Sequence, residues 1–401
     1  MKKMRTVVVL FLVLFSLAGC GKGTDSKEQT KTEDWPDTVD YAVHNIATDG
    51  KKVIYEKDQA LQFMNLQSGE STVFCTQPNC SHKVLEDGST SSCAALPPAG
   101  SNNLGTLGLH GDTVFECYDS EEMNQMVVYK AKVGSSGRRK FAVIPYGIEA
   151  MTPSYCIGDK MYLVGKQVNT HEDGSTDEEA MILALDLNTG KAEVLSQIHK
   201  HPESCSITAM NIQGDHLYYL YTCMKDGMDY DQFMKLSPEE AANAFSNTLY
   251  DLNYKTKEER EMSEIDLTKY DYLGQYDGNI YLKKDDKKIV TYNEQSKEEK
   301  EIVSVKGKEQ IDYSTCYETG SMVFSVLSGE KEIFYYYDQK EQKETKLGEE
   351  PQHYTLLPNT IIGDSVLLQE RETDGKGNYI YGDITMVPLS SYKDGTFAKG
   401  E

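Results

Sequence analysis

The chain has 401 residues, 39% hydrophobic and 26% charged, with 41 basic against 64 acidic side chains and a formal net charge of −23. An acidic surface of that strength repels phosphate backbones and anionic headgroups, which excludes nucleic acid as the expected partner and argues against a domain lying flat on a membrane. The length allows two or three domains, but an internal repeat argues for one.

Lys2, Lys3 and Arg5 precede an apolar run from Val7 to Phe15 that ends in small residues, the order of a secretory signal over residues 1–19. The run falls short of the roughly 20 apolar residues of a spanning helix. Leu17-Ala18-Gly19-Cys20 resembles the lipobox of bacterial lipoproteins. The resemblance implies cleavage before Cys20, lipidation of that cysteine, and a place on the extracytoplasmic face of the cell membrane, touched through the lipid anchor alone. More than one acyl chain is needed for stable anchoring. Residues 20–34 follow as a polar segment without large apolar side chains, which reads as a flexible tether. A folded domain is expected over 35–401, starting near Trp35. Loss of Lys2, Lys3 and Arg5 with the signal leaves 38 basic against 64 acidic groups, a net −26.

A glycine turn followed by alternating β-branched and aromatic residues then recurs seven times. The copies are Asp49-Gly50 before Lys51 to Tyr55, Gly111-Asp112 before Thr113 to Tyr118, Gly158-Asp159 before Lys160 to Val164, and Gly214-Asp215 before His216 to Tyr221. Asp277-Gly278 before Asn279 to Leu282, Gly320 before Ser321 to Val326, and Gly363-Asp364 before Ser365 to Gln369 complete the set. Their spacing, about 42 to 64 residues, is that of a four-stranded propeller blade with loop insertions. The third copy shows the order of events: a strand Tyr162 to Gln167, another Met181 to Asp186, a turn Asn188-Thr189-Gly190-Lys191, and a strand Ala192 to Ser196. The first copy repeats it over Leu61 to Leu66 and Ser71 to Phe74, the sixth over Ile333 to Tyr337 and Glu344 to Leu347.

A lone antiparallel unit of this kind cannot bury either apolar face, so neighbours must stack. The expected fold is all-β: a seven-bladed β-propeller of four-stranded antiparallel blades, preceded by the signal peptide and flexible tether. A β-sandwich array or two β domains is the competing arrangement. The repeats resemble those of bacterial β-propellers, and with the lipobox and an early cysteine cluster the chain resembles the propeller lipoproteins of Gram-positive anaerobes, a group without an assigned activity. The resemblance implies fold and extracytoplasmic place only.

One helix interrupts the strands. Ser237-Pro238-Glu239-Glu240 supplies an N-cap, a proline at the first helical position and acids for the positive helix end, ahead of Ala241 to Phe245. It lies in an insertion, 225–247, expected on a rim where ligands are met, or else as a cover for apolar surface.

Nine cysteines include Cys20. In the loop 75–93, Cys75, Cys80, His82 and Cys93 have the donor types and number of one tetrahedral structural zinc. The chain is expected to be exported, however, and there Cys75–Cys80 or Cys80–Cys93 disulfides would staple the loop equally well, with free thiols the third reading. The histidine does not directly follow the second cysteine, unlike a c-type haem attachment site. Cys117, Cys156, Cys205, Cys223 and Cys316 sit in strand patterns as small buried hydrophobes. His199 and His201 read as loop histidines. The acidic stretches Asp226 to Asp231 and His171 to Glu179 lack EF-hand spacing and read as solvated loops.

No nucleophile elbow, zinc-protease helix, Walker loop or dinucleotide fingerprint is present. The sequence therefore favours a non-catalytic binding or scaffold module that recognises an envelope protein, peptide or glycan through rim loops. The alternative is an enzyme, a hydrolase or lyase on an extracellular glycan, with carboxylates gathered from separate blades in a central pocket.

Overall fold

Six of the seven glycine turns lie between the first two strands of a described antiparallel unit, and their chemistry explains the geometry. At Asp277-Gly278 both residues have positive φ, 50° and 68°, and Tyr276 pairs with Asn279 across the loop. A two-residue loop of that kind twists as its strands do, and glycine takes the left-handed position without strain. At Gly214-Asp215 the order is reversed: Gly214, at φ 56°, takes the first loop position, and Gln213 pairs with His216.

The computed structural model describes residues 39–394 except 44–45, 58–59, 84–92, 99–100, 121–123, 150–151, 238–239, 242, 318–319, 330, 350–359, 363 and 374–378. The expected signal peptide 1–19, Cys20 and the tether 20–34 lie outside the described residues, as does Gly363 of the seventh turn. No helix among the described residues is long and apolar enough to cross a membrane.

Copy one comprises Ile46–Thr48, Lys52–Lys57, Ala60–Asn65 and Ser71–Val73, and copy two Ser101–His110, Thr113–Ser120, Met126–Lys132 and Arg138–Ile144. Copy three has Ser154–Ile157, Lys160–Thr170, Thr176–Asp186 and Ala192–Val194, with the short strands Gly147–Ile148 and His199–His201 added at its edges. Copy four is Cys205–Gln213, His216–Met224, Phe245–Asn253 and Glu259–Glu261, and copy five Tyr270–Tyr276, Asn279–Lys284, Lys288–Asn293 and Glu299–Ser304. Copy six is Gln310–Tyr317, Ser321–Ser328, Lys331–Asp338 and Lys343–Glu349; copy seven has three described strands, Thr360–Ile362, Ser365–Thr373 and Tyr379–Pro388.

Hydrogen bonding sorts these strands into six blades, not the seven expected. The cause is the strand Val39–Val43. It pairs antiparallel with Ile46–Thr48 of copy one and with Ser154–Ile157 of copy three, running beside the first strand of copy two. Copies one and three thereby become one eleven-stranded sheet.

Each copy hides its apolar faces against its neighbours. Leu61 and Phe74 meet Leu107 and Val114 between copies one and two, and Phe115 and Val128 meet Met161 and Leu183 between two and three. Tyr162 and Val164 meet Ile207 and Tyr219, then Leu249 meets Ile280, and Tyr281 meets Phe324. Val323 and Tyr336 pack with Val366 and Leu368 between copies six and seven. Copy seven returns to copy one, where Leu367 and Ile384 pack on Ile46, Val53 and Tyr55. Burial by first and last copies of each other's faces is the signature of a closed ring, which a sandwich or a two-domain chain would lack.

Candidate metal centre

Cys75, Cys80, His82 and Cys93 come together as the spacing suggested: one ligand atom from each lies within 4.8 Å of the other three. The local sequence builds this cluster. Pro78 and Asn79 occupy the corners of a turn closed by the Cys80 N–H on the Gln77 carbonyl at 3.3 Å, and Asn79 has φ 60°. Proline first and asparagine at the left-handed second corner are the residues such a turn demands. His82, at φ 51°, turns the chain again, and its Nδ1 stands 3.5 Å from the Cys93 sulfur. None of the eight cysteines beyond Cys20 is joined in a disulfide.

The sulfurs differ in acidity. Burial opposes ionisation of Cys75, but backbone contacts to Gln77 and Ala94 and the neighbouring thiols outweigh it and hold the thiol below its usual range. Burial pushes the Cys93 thiol up to about 12, with the neighbouring sulfurs adding to the rise. A divalent cation would favour the thiolate at each of these sulfurs, because coordination replaces the thiol proton by a charge that the crowded sulfurs then share.

The loop is a wedge rather than a rim ornament. Cys75, Cys93, Ala94, Ala95 and Leu96 are buried in the cluster that joins copies one and two. The Leu61 N–H donates to the Ala95 carbonyl at 2.7 Å, and Thr76 Oγ1 to the Gly134 carbonyl of copy two at 3.1 Å. Arg138 completes the junction. One of its nitrogens pairs with the wholly buried Glu116 at 2.7 Å, and the other donates to the Cys93 carbonyl at 3.3 Å and to that of Leu96. Nothing in the sequence around Glu116 or Arg138 marks them as partners of a cysteine loop; a charged residue inside an otherwise apolar strand, Phe115-Glu116-Cys117, is the only sign.

The other residues singled out in the sequence fall elsewhere. Cys117, Cys156, Cys205 and Cys316 are buried and Cys223 half-buried, in agreement with their strand settings. His199 and His201 are not loop residues: they form a short edge strand paired with Glu178 to Ala180, and both are buried. His199 stacks on Tyr221 at 4.4 Å and contacts the Tyr219 hydroxyl at 2.7 Å, which accounts for it as a core residue. Asp177 of the acidic loop is held by Asn169 and His171 at 2.8 and 2.6 Å rather than open to a cation. In the insertion 225–247, Ser237 Oγ accepts from the Glu240 N–H and Glu240 Oε2 from the Ser237 N–H, a reciprocal cap, while Pro238 and Glu239 lie outside the described residues. The helix stops short of Phe245, which begins a strand, and Ala241 and Ala244 are buried.

Sequence reasoning missed a carboxylate group shared by copies two and three. Lys166 Nζ stands 3.2 Å from Glu178 and 3.8 Å from Glu149, and Asp119 lies within the reach of its charge. Burial raises the pKa of Glu149 and of Asp119 from the ordinary carboxylate value, because it disfavours the charged form.

No family model and no curated protein matches the sequence. Solved structures do match in shape. Prolyl oligopeptidase B from Galerina marginata superposes with a TM-score of 0.53 at 11% identity, over 88% of this chain and 49% of its own. This chain is a β-propeller. Oligogalacturonate lyase from Vibrio parahaemolyticus has a TM-score of 0.49 at 13% identity, covering 92% of this chain and 100% of its own. The β-propeller domain of the Trilobed protease from Pyrococcus furiosus has 0.44 at 12%, over 88% and 99%. The propeller thus spans about half the length of the peptidase.

Proposed function

We propose that the propeller is a membrane-anchored extracytoplasmic binding or scaffold module, tethered by lipid on Cys20, in which one structural zinc on Cys75, Cys80, His82 and Cys93 locks the seam between copies one and two. It recognises an envelope protein, peptide or glycan through its rim loops, the insertion 225–247 among them. The observation that carries the zinc is the convergence of three sulfurs and one imidazole within 4.8 Å, a donor set and closeness that suit tetrahedral Zn²⁺ with no position left for substrate. A closed coordination shell means a structural ion. Anchoring by lipid rests on the lipobox alone and has its own test.

Cys93→Ser should cost the protein its zinc and lower its melting temperature, while Cys20→Ser should move it from the membrane fraction to the medium without changing its melting. Zinc content unaltered by Cys93→Ser would remove the metal reading, and a Cys20→Ser protein still in the membrane fraction would remove the anchor.

A second reading, an enzyme acting on an extracellular glycan, is favoured by the Asp119, Glu149 and Glu178 group around Lys166, where carboxyls made harder to ionise by burial are gathered around one cation, as acid–base work on a glycosidic bond requires. Glu149→Gln would abolish any such turnover while leaving the zinc in place.

A further inference from the structure

Copies four and five enclose a second polar site, at the end of the sheets opposite the insertion 225–247. A groove of about 570 Å³ runs between their glycine turns, a volume in the range of small-ligand pockets. Four side-chain amides line it, those of Gln213, Asn253, Gln275 and Gln295, beside the glycines of both turns, Gly214 and Gly278.

The charged groups of the groove are already neutralised from behind. Arg260 pairs with Glu294 at 2.9 Å and with Asp251 at 3.2 Å, and Lys255 pairs with Asp215 at 2.7 Å. His216 gives its Nδ1 hydrogen to Asp251 at 2.6 Å, and Asn253 Nδ2 stands 3.4 Å from Nε2, so both partners select one tautomer. Gln275 donates to Glu294 at 2.7 Å, which fixes its amide. Its carbonyl oxygen is then left buried and without a hydrogen-bond partner among the described residues, although the residue is only 3% exposed. A buried acceptor without a donor is costly, and its place in the lining points to a donor supplied by a ligand.

We infer that this groove binds a neutral, hydroxyl-rich ligand, a short stretch of neutral glycan, with Gln275 Oε1 accepting from one of its hydroxyls. Amides and hydroxyls each donate and accept, so alternating amide and carboxylate groups match the edge of a sugar ring. A ligand anion would meet Asp215 and Glu294, and a ligand cation would have to displace Lys255 or Arg260 from carboxylates they already hold. Tyr218 and His216, stacked on each other, are the aromatic side chains among the described lining residues, which leaves little for an apolar ligand. The site is separate from the insertion 225–247 and from the cysteine loop, so it stands or falls without them.

The test is calorimetric titration of the full chain in detergent with hexasaccharides of glucose, mannose, xylose and N-acetylglucosamine, and with the galacturonate hexamer as the anionic control. At least one neutral hexasaccharide should bind, and Gln275→Leu and Gln295→Ala should each weaken it by about tenfold or more. Gln295 is exposed, so its variant should melt as the parent does and separate loss of binding from loss of fold. Failure of all four neutral sugars to bind the folded parent, binding indifferent to Gln295→Ala, or preference for the galacturonate hexamer would each overturn the inference.

Discussion

Arg138 ties a charge that the fold has buried to the loop that carries the cysteines. Burial raises the Glu116 carboxyl above its ordinary value of 4.5, and Arg138 opposes that rise without cancelling it. Arg138→Met should therefore cost about 3–5 kcal/mol at neutral pH, because the carboxylate is left buried and unpaired. A carboxyl raised in the folded state contributes stability that is complete below its unfolded value and lost as pH rises through the folded one. The loss in Arg138→Met should accordingly be smallest at about pH 4 and full at about pH 7, in urea unfolding followed across that range. A cost independent of pH would mean that Arg138 acts through packing alone. The convergence of Cys75, Cys80, His82 and Cys93 was legible because cysteine and histidine are rare and bunched in the sequence; their support was not, because Glu116 and Arg138 stand on different strands and become neighbours only through the register of copy two.

Hairpins were equally legible, since turn residues and strand alternation are local. The third copy's strands run a few residues beyond the expected Tyr162 to Gln167 and Met181 to Asp186 because their pairing continues from Lys160 opposite Asp186 to Thr170 opposite Thr176. His199 and His201 were misread, although the alternation buried, exposed, buried along His199–His201 is the period of a strand. The strand Val39–Val43 stood outside the repeat read from the sequence, and its partners, Ala47 and Ser154 among them, lie on two different copies. Gly320 is the sharpest test at this scale. It has φ 83°, and a Cβ there would stand 2.7 Å from the Tyr276 ring of copy five. Gly320→Ala should destabilise by more than the roughly 1 kcal/mol of a left-handed alanine in open space, such as Gly158→Ala, and the two variants unfolded in urea side by side measure the difference. Equal costs would place the Tyr276 contact outside the energetics of the turn.

At the scale of the molecule, the repeat announced a ring, but the number of blades was set by a strand outside the repeat. Closure depends on copy seven, whose Leu367 is wholly buried against copy one, with Lys57 and Asp383 paired at 2.5 Å across the same seam. Leu367→Ala should cost about 2–5 kcal/mol, as for a core leucine, whereas Lys57→Ala should cost less than about 1 kcal/mol because the pair is open to solvent. A negligible cost for Leu367→Ala in calorimetry would mean that the last copy is an appendage and that the ring is open. The proposed zinc belongs to this scale too, for it would fasten the first seam as Leu367 fastens the last. Native mass spectrometry of the protein purified without chelator or reductant addresses that directly: the account predicts one zinc per chain with Cys75, Cys80 and Cys93 all alkylated after denaturation, and a metal-free chain lighter by two hydrogens, with a pair of those cysteines resistant to alkylation, would contradict it.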